Sequence, residues 1–473
     1  MRITLALLSL PLTLSFVQAQ AVWNQLTPAS SPPGLSDIVG SSDLTGMLVF
    51  GGKLANNSLS NNLWRFDPLA GATGDWVNMS PTGTLPSPRQ GCGAAYDLSR
   101  GVLVIYGGRT GAGNAGINGE TWEWDSGTNT WTDKTPTVPV VGVNTPPELE
   151  SGILVYESAQ SRCLLFGGRG NTTTAPMEVD ETWTWNGTAW TKLTPATSPP
   201  ARRNHAMGYD AIHGVAMVWG GIAAGAVLGD TWTWDGTNWS AVTTATTPFT
   251  NGTYNGSILN RLAYDILRDR FVLTSGVYPG GTVLTVPDTY EFDGTDWVNR
   301  GALGIGQRYV AAVAYVEAVG RTYSFGGYNF GQLSQTWDYQ TNAPATFTSQ
   351  AGGCAGAGAV PSLQATALPW LGDSAFVEAH GTTAGALNVL AIALGATQIP
   401  LGPYGFPGCT AEMNPLASLL MLNHPTTGLP TASISMPSST AYLGLVIYSQ
   451  AASIEPSLQL AMSGRGDLRV GAR

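Results

Sequence analysis

Three arginines stand at one offset. Arg89, Arg202 and Arg308 each precede a tyrosine, Tyr96, Tyr209 or Tyr315, by seven residues. Arg203 and Arg261 lie close to the same place in their own stretches. A guanidinium is a planar fork that grips a carboxylate or an anionic sugar through paired hydrogen bonds. A ring of such forks would make an anion-binding mouth. The competing reading is mechanical: an arginine at one repeated position ties adjacent repeats together. Glu148 and Glu150 stand in the equivalent stretch before Tyr156. They either pair with a neighbouring arginine or supply the acid–base group that sugar chemistry needs.

Other chemistry finds little footing. The four histidines and four cysteines form no cluster at metal-ligand spacing, so no metal and no cofactor is expected. No G-x-S-x-G elbow, P-loop or dinucleotide fingerprint is present. Catalysis is therefore not the first expectation. Of the cysteines, Cys354 and Cys409 share the C-terminal segment beside glycines and are the candidate disulfide. Cys92 and Cys163 fall in expected strands of successive repeats, either as free thiols or as a bridge. Arg465-Gly466-Asp467 is a chance-level tripeptide in a chain of this length.

The elements that must position these residues repeat. Thr231–Trp239 reads TWTWDGTNW, which predicts a hairpin turning on Asp235-Gly236 in a two-residue type I′ turn. The pattern recurs at Thr182–Trp190, Thr289–Trp297, Thr121–Trp131 and Leu63–Trp76, with a half-copy at Thr336–Tyr339. Upstream, an apolar run ends in Gly51-Gly52, Gly107-Gly108, Gly167-Gly168, Gly220-Gly221 or Gly326-Gly327, with Ser275-Gly276 as the degenerate copy. In five of the six copies a tyrosine stands 11 residues before the pair. Each repeat is then four short strands, and six repeats predict a six-bladed β-propeller. Trp23 with Thr27-Pro28 matches the W-x3-[TS]-P after Trp76, Trp131 and Trp190. Val22–Leu26 is therefore expected as the outer strand of the last blade, closing the ring at residues 22–340 and removing its open edge.

The Gly-Gly pair, the hairpin Trp and the outer Trp together resemble the kelch repeat. The resemblance implies a kelch-type propeller, in the superfamily of galactose oxidase, and leaves function open because such folds serve binding and catalysis alike. It also invites a test for a copper-radical site of two His, two Tyr and a crosslinked Cys. Within the repeats only His205 and His213 are available, on opposite faces, so that activity is rejected. The hairpin WDSGTNTW resembles a sialidase Asp-box with one residue too many. After a polar linker at 341–350, GGCAGAGAVPSLQ, LPWLGD, IPLGPYGFPGC and LGLVIYSQAA resemble a C-terminal domain of many secreted bacterial proteins. Alternating runs there predict a small β-sandwich over 351–473, an accessory module without an implied activity.

Loop lengths add a direction. The spacer between the first two strands is constant. The Gly-Gly-to-hairpin and outer-Trp-to-Tyr spacers vary from 11 to 16 and from 18 to 25 residues. Strands alternate, so the variable loops share one face, the expected ligand face. The net charge of −10 excludes a basic nucleic-acid surface. Arg2, the apolar stretch Ile3–Phe16 and a small-residue site ending at Ala19 or Ala21 read as a signal peptide over 1–21. No later run is long enough to span a membrane. The expectation is a monomeric protein that is secreted or held in the periplasm or cell envelope. It would bind a glycan or an extracellular protein, with a sugar epimerase or mutarotase as the alternative.

Overall fold

The computed structural model describes residues 21–341, apart from 112–115, 171–176, 251–252, 254, 267, 279–283 and 286. Beyond 345 it describes little more than strands. The signal-peptide reading of 1–20 falls outside these residues. The chain divides into Ala21–Gln340 and a second unit that takes in Thr341–Arg473.

Alternating apolar residues and Gly-punctuated turns give the first unit an all-β architecture of antiparallel four-stranded sheets. Sheet one runs Val39–Ser42, Met47–Phe50, Leu63–Asp67, Asp75–Asn78 from centre to rim. Sheets two to five begin on inner strands Gly93–Asp97, Ile153–Glu157, Ala206–Asp210 and Arg261–Asp265. Sheet six is Ala312–Val316, Arg321–Phe325 and Thr336–Thr341, with Ala21–Leu26 hydrogen-bonded at its outer edge. Each inner strand neighbours the next, and the sixth neighbours the first. No α-helix occurs among the described residues.

Apolar residues fill the seams between sheets. Leu48, Phe50 and Leu63 of sheet one pack on Leu103, Trp124 and Trp131 of sheet two. Trp23 packs with Val272, Ile305 and Tyr339 where sheets five and six meet. The rim is also stitched by hydrogen bonds. Five outer tryptophans donate Nε1 to the threonine that opens the third strand of the preceding sheet. The pairs are Trp76–Thr336 at 2.8 Å, and Trp23–Thr289, Trp190–Thr121, Trp239–Thr182 and Trp297–Thr231 at 2.9 Å. In sheet one that threonine is Leu63, and Trp131 Nε1 finds no partner.

The hairpin differs from expectation in its turn. Trp234 pairs with Trp239, so four residues connect the strands rather than two. Only Gly236 has a positive φ, +96°. The Asp235 carboxylate closes the loop instead, accepting from the backbone N–H groups of Thr237 and Asn238 at 2.8 Å each. Those bonds hold its carboxyl below the usual aspartate range. Asp235 was thus a loop cap, the ordinary use of a side chain that bonds the backbone two residues on.

In the second unit, Ser362–Ala367, Ser374–His380, Pro430–Ser435 and Leu422–Asn423 form one antiparallel sheet. A second carries Leu387–Ala393, Val446–Ile454 and Gly466–Arg469. Thr346–Ser349, read from sequence as linker, pairs with Gly466–Arg469 and belongs to that sheet. Cys354 lies on the strand Gly353–Cys354. Cys409 lies outside the described residues, so the candidate disulfide does too.

Candidate functional site

Where each chain segment turns from the variable face into an inner strand, one residue takes the left-handed region. These are Asp37 (φ 52°), Gly91 (61°), Ser151 (60°), Asn204 (56°), Leu259 (62°) and Val310 (51°). Glycine, asparagine and aspartate tolerate that region, but a leucine and a β-branched valine there are strained by roughly 1–3 kcal/mol each. The ring is held by its own backbone. Gly91 N donates to Asp37 O at 3.0 Å, Ser151 N to Gly91 O at 2.8 Å and Leu259 N to Asn204 O at 2.8 Å. All six residues line a central channel of about 250 Å³. Strain that the surrounding structure over-determines is a mark of functional sites.

Polar groups meet at this mouth. Asp37, Asn204, Asn260, Arg261 and Ser151 all line it. Burial raises the Asp37 carboxyl, opposed by the charges of Arg261, Lys53 and Arg109. Burial lowers the Arg261 guanidinium, opposed by Asp37. His205 also lines the channel, where burial and then Arg202 push it down to about 3, so it is neutral at ordinary pH. Cys92 lines it as well. It precedes the strand Gly93–Asp97 rather than lying in it, is a free thiol like Cys163, and is pushed up to about 11 by burial.

Around the mouth runs a second ring of short pairings, which the sequence did not announce. Residues entering the inner strands pair with residues following the Gly-Gly pairs: Ser36 with Lys53, Gln90 with Arg109, Glu150 with Arg169, Arg203 with Ile222, Ile258 with Val277, Tyr309 with Tyr328. This rim is divided. Sheets one to four contribute charge: Glu150 accepts from Arg169 at 2.9 Å and sits 3.2 Å from Arg109, and Arg203 lies 3.4 Å from Glu178. Sheets four to six contribute apolar surface, with Ile222, Ile258 and Val277 packed beside Tyr309. The Tyr309 and Tyr328 rings stand 5.5 Å apart, and Phe330 beyond them is 88% exposed.

The three offset arginines are elsewhere. Arg89 and Arg202 are wholly buried and Arg308 nearly so, and none lines the channel. Each donates NH1 to the first glycine carbonyl of its own repeat: Gly107 at 3.0 Å, Gly220 at 2.9 Å, Gly326 at 3.1 Å. Each accepts at its backbone carbonyl from the second glycine of the preceding repeat: Gly52 at 2.8 Å, Gly168 at 2.8 Å, Gly276 at 2.9 Å. A Cβ on Gly51 or Gly107 would fall within 3 Å of a carbonyl of the neighbouring repeat, Arg89 O or Leu149 O, so this close stitch needs glycine. The arginines are struts between sheets, and the anion-binding reading of Arg89 and Arg202 is corrected. Arg89 and Arg202 are also engaged by Glu120 and Asp230 of their own repeats. Arg203 and Glu150 belong to the rim. None of Glu148, Glu150, Arg89, Arg202 and Arg308 lines the channel, and Glu150 pairs with Arg109 and Arg169. Arg261, adjacent in sequence but off the repeat pattern, is the arginine that faces the channel.

On the constant face, Asp210, His213 and Asp269 converge, their ligand-capable atoms within 4.8 Å of one another. His213 Nδ1 lies 2.7 Å from Asp210 Oδ2 and 3.7 Å from Asp269 Oδ1, and Tyr264 OH donates to Asp269 at 2.5 Å. This cluster is a polar tie between sheets four and five.

Fold and repeat together define a kelch-type β-propeller. A family model, the KLHDC2/KLHL20/DRC7 Kelch-repeats domain, matches residues 39–249. A solved structure described as "Structure of YjhT" aligns with a TM-score of 0.50 at 12% sequence identity, covering 66% of this chain and 97% of that one. That likeness concerns the fold alone. No curated protein matches the chain. A kelch-repeat propeller points to a binding or scaffold role.

Proposed function

We propose that this is an exported, non-enzymatic binding protein whose channel mouth takes the end of a glycan. The observation that carries the reading is the divided rim. One side offers charged hydrogen-bonding groups, Glu150, Arg109, Arg169 and Arg203, next to the channel lined by Asp37, Ser151, Asn204 and Arg261. The other offers Tyr309, Tyr328 and the exposed Phe330. A sugar ring has the matching two-sided character, with hydroxyls at its edge and a C–H face that packs on aromatic rings. Ligand sites commonly join apolar walls to a few placed polar groups in this way. The reading also draws on the N-terminal segment for export and on the alternating C-terminal strands, which we take as a β-sandwich accessory domain. The protein would act as a monomer without cofactor.

A glycan array probed with mature protein tests this. The expected result is a set of related hits sharing a terminal sugar. Uniformly blank arrays, together with capture of a protein partner through the same face, would replace the glycan by a polypeptide.

A further inference from the structure

The repeats can be compared with one another at one spot. In sheet two, Glu120 lies between Arg89 and Trp122. Its Oε2 accepts from Arg89 NH2 and, at 3.0 Å, from Trp122 Nε1. In sheet four, Asp230 does the same. It accepts from Arg202 NH1 at 2.7 Å and NH2 at 2.8 Å, and from Trp232 Nε1 at 2.7 Å. In both, one carboxylate two residues before the hairpin tryptophan joins a buried guanidinium to an indole N–H. These carboxylates are 37% and 36% exposed, so the slot opens to solvent.

Sheet six keeps the arginine and the tryptophan and lacks the acid. Arg308 is 3% exposed and reaches Gly326 O as its counterparts reach Gly107 and Gly220. NH2 donates to Ile305 O at 2.8 Å. The residue two before Trp337 is Gln335. Among the described residues, Arg308 Nε, Trp337 Nε1 and Gln335 Oε1 have no hydrogen-bond partner. The Trp337 ring lies 5.3 Å from the guanidinium carbon. An aromatic face attracts a cation but supplies only part of what an ionised acceptor supplies. Burial pushes Arg308 down to about 10, the direction expected of a cation with no anion beside it.

We propose that the slot formed by Arg308, Gln335 and Trp337 binds a small carboxylate, held as Glu120 and Asp230 are held in the sister repeats. The guanidinium and the Trp337 N–H would donate to its oxygens. Leu303 and Ile305, packed beside Trp337, would meet a short apolar tail. The site is independent of the channel mouth, since none of its three residues lines the channel.

The test compares melting curves of mature parent protein in sodium acetate and in sodium chloride at equal ionic strength, beside Gln335→Glu and Arg308→Met. A ligand that binds only the folded state raises Tm by mass action. Acetate should raise the parent Tm in a saturable way beyond chloride. Gln335→Glu supplies the missing carboxylate within the chain, so it should start about 2 °C higher and lose the acetate-specific rise. Arg308→Met should also lose it, and Gln335→Glu carries the test if that variant folds poorly. A parent that responds equally to both salts, a Gln335→Glu that keeps the acetate response, or one that melts no higher than the parent would each overturn the proposal.

Discussion

At the scale of single residues, this propeller is held by repeated hydrogen bonds whose exceptions are informative. Trp297 donates to Thr231 in a buried seam. Thr231→Val keeps the shape and removes the acceptor, leaving an indole N–H without a partner. It should cost about 1–3 kcal/mol in denaturant unfolding. Thr182→Val should cost a similar amount through Trp239. A second residue-scale prediction concerns His213. Its hydrogen bond and charge pairing with Asp210, then the charge of Asp269, raise its pKa above the ordinary 6.5. A folded-state pKa above the unfolded one favours folding while the ring is protonated. That contribution is fully present below about pH 6.5 and fades as pH rises through the folded-state value. His213→Gln should therefore flatten the fall in Tm between acidic and mildly alkaline buffer, and a parallel curve for the variant would contradict the assignment. The repeat spacing made the positions of these residues legible. It did not show that Asp210 and Asp269 come from different sheets to meet His213.

At the scale of elements, the strand Ala21–Leu26 is the sensitive one. Its Trp23 is buried against Val272, Ile305 and Tyr339 and donates to Thr289 of the neighbouring sheet. Trp23→Ala removes both and should cost about 3–5 kcal/mol, the usual range for a buried tryptophan. An unchanged melting curve would mean that this strand contributes little. Its pairing place was readable because W-x3-T-P recurs after other outer tryptophans. The hairpin turn was not readable in the same way. Asp-Gly signals a two-residue turn, yet here the aspartate carboxylate caps a four-residue loop and only the glycine takes a positive φ. The left-handed ring was hidden for a further reason. Leu259 and Val310 carry no preference for that conformation, and the neighbouring repeats impose it on them.

At the scale of the whole molecule, two sets of polar residues that lie together in the sequence part company in the fold. The fixed offset of Arg89, Arg202 and Arg308 marked a repeat position, and a repeat position in a propeller is first of all a seam. Whether a side chain at such a position turns into the seam or into the channel depends on the pairings around it, and spacing alone carries no such direction. Arg261, off the pattern, is the one that lines the channel with Asp37 and Asn204. The most direct test measures melting temperature and glycan binding together for Arg202→Glu and Asn204→Ala. Arg202→Glu places an anion beside Asp230 in a buried seam and should lower Tm by several degrees. Asn204→Ala should leave the fold standing and weaken binding at least tenfold, as loss of a placed hydrogen-bonding group at a ligand does. Undiminished binding by Asn204→Ala, or lost binding with an unchanged Tm for Arg202→Glu, would contradict the assignment of the mouth as site and the arginine as strut.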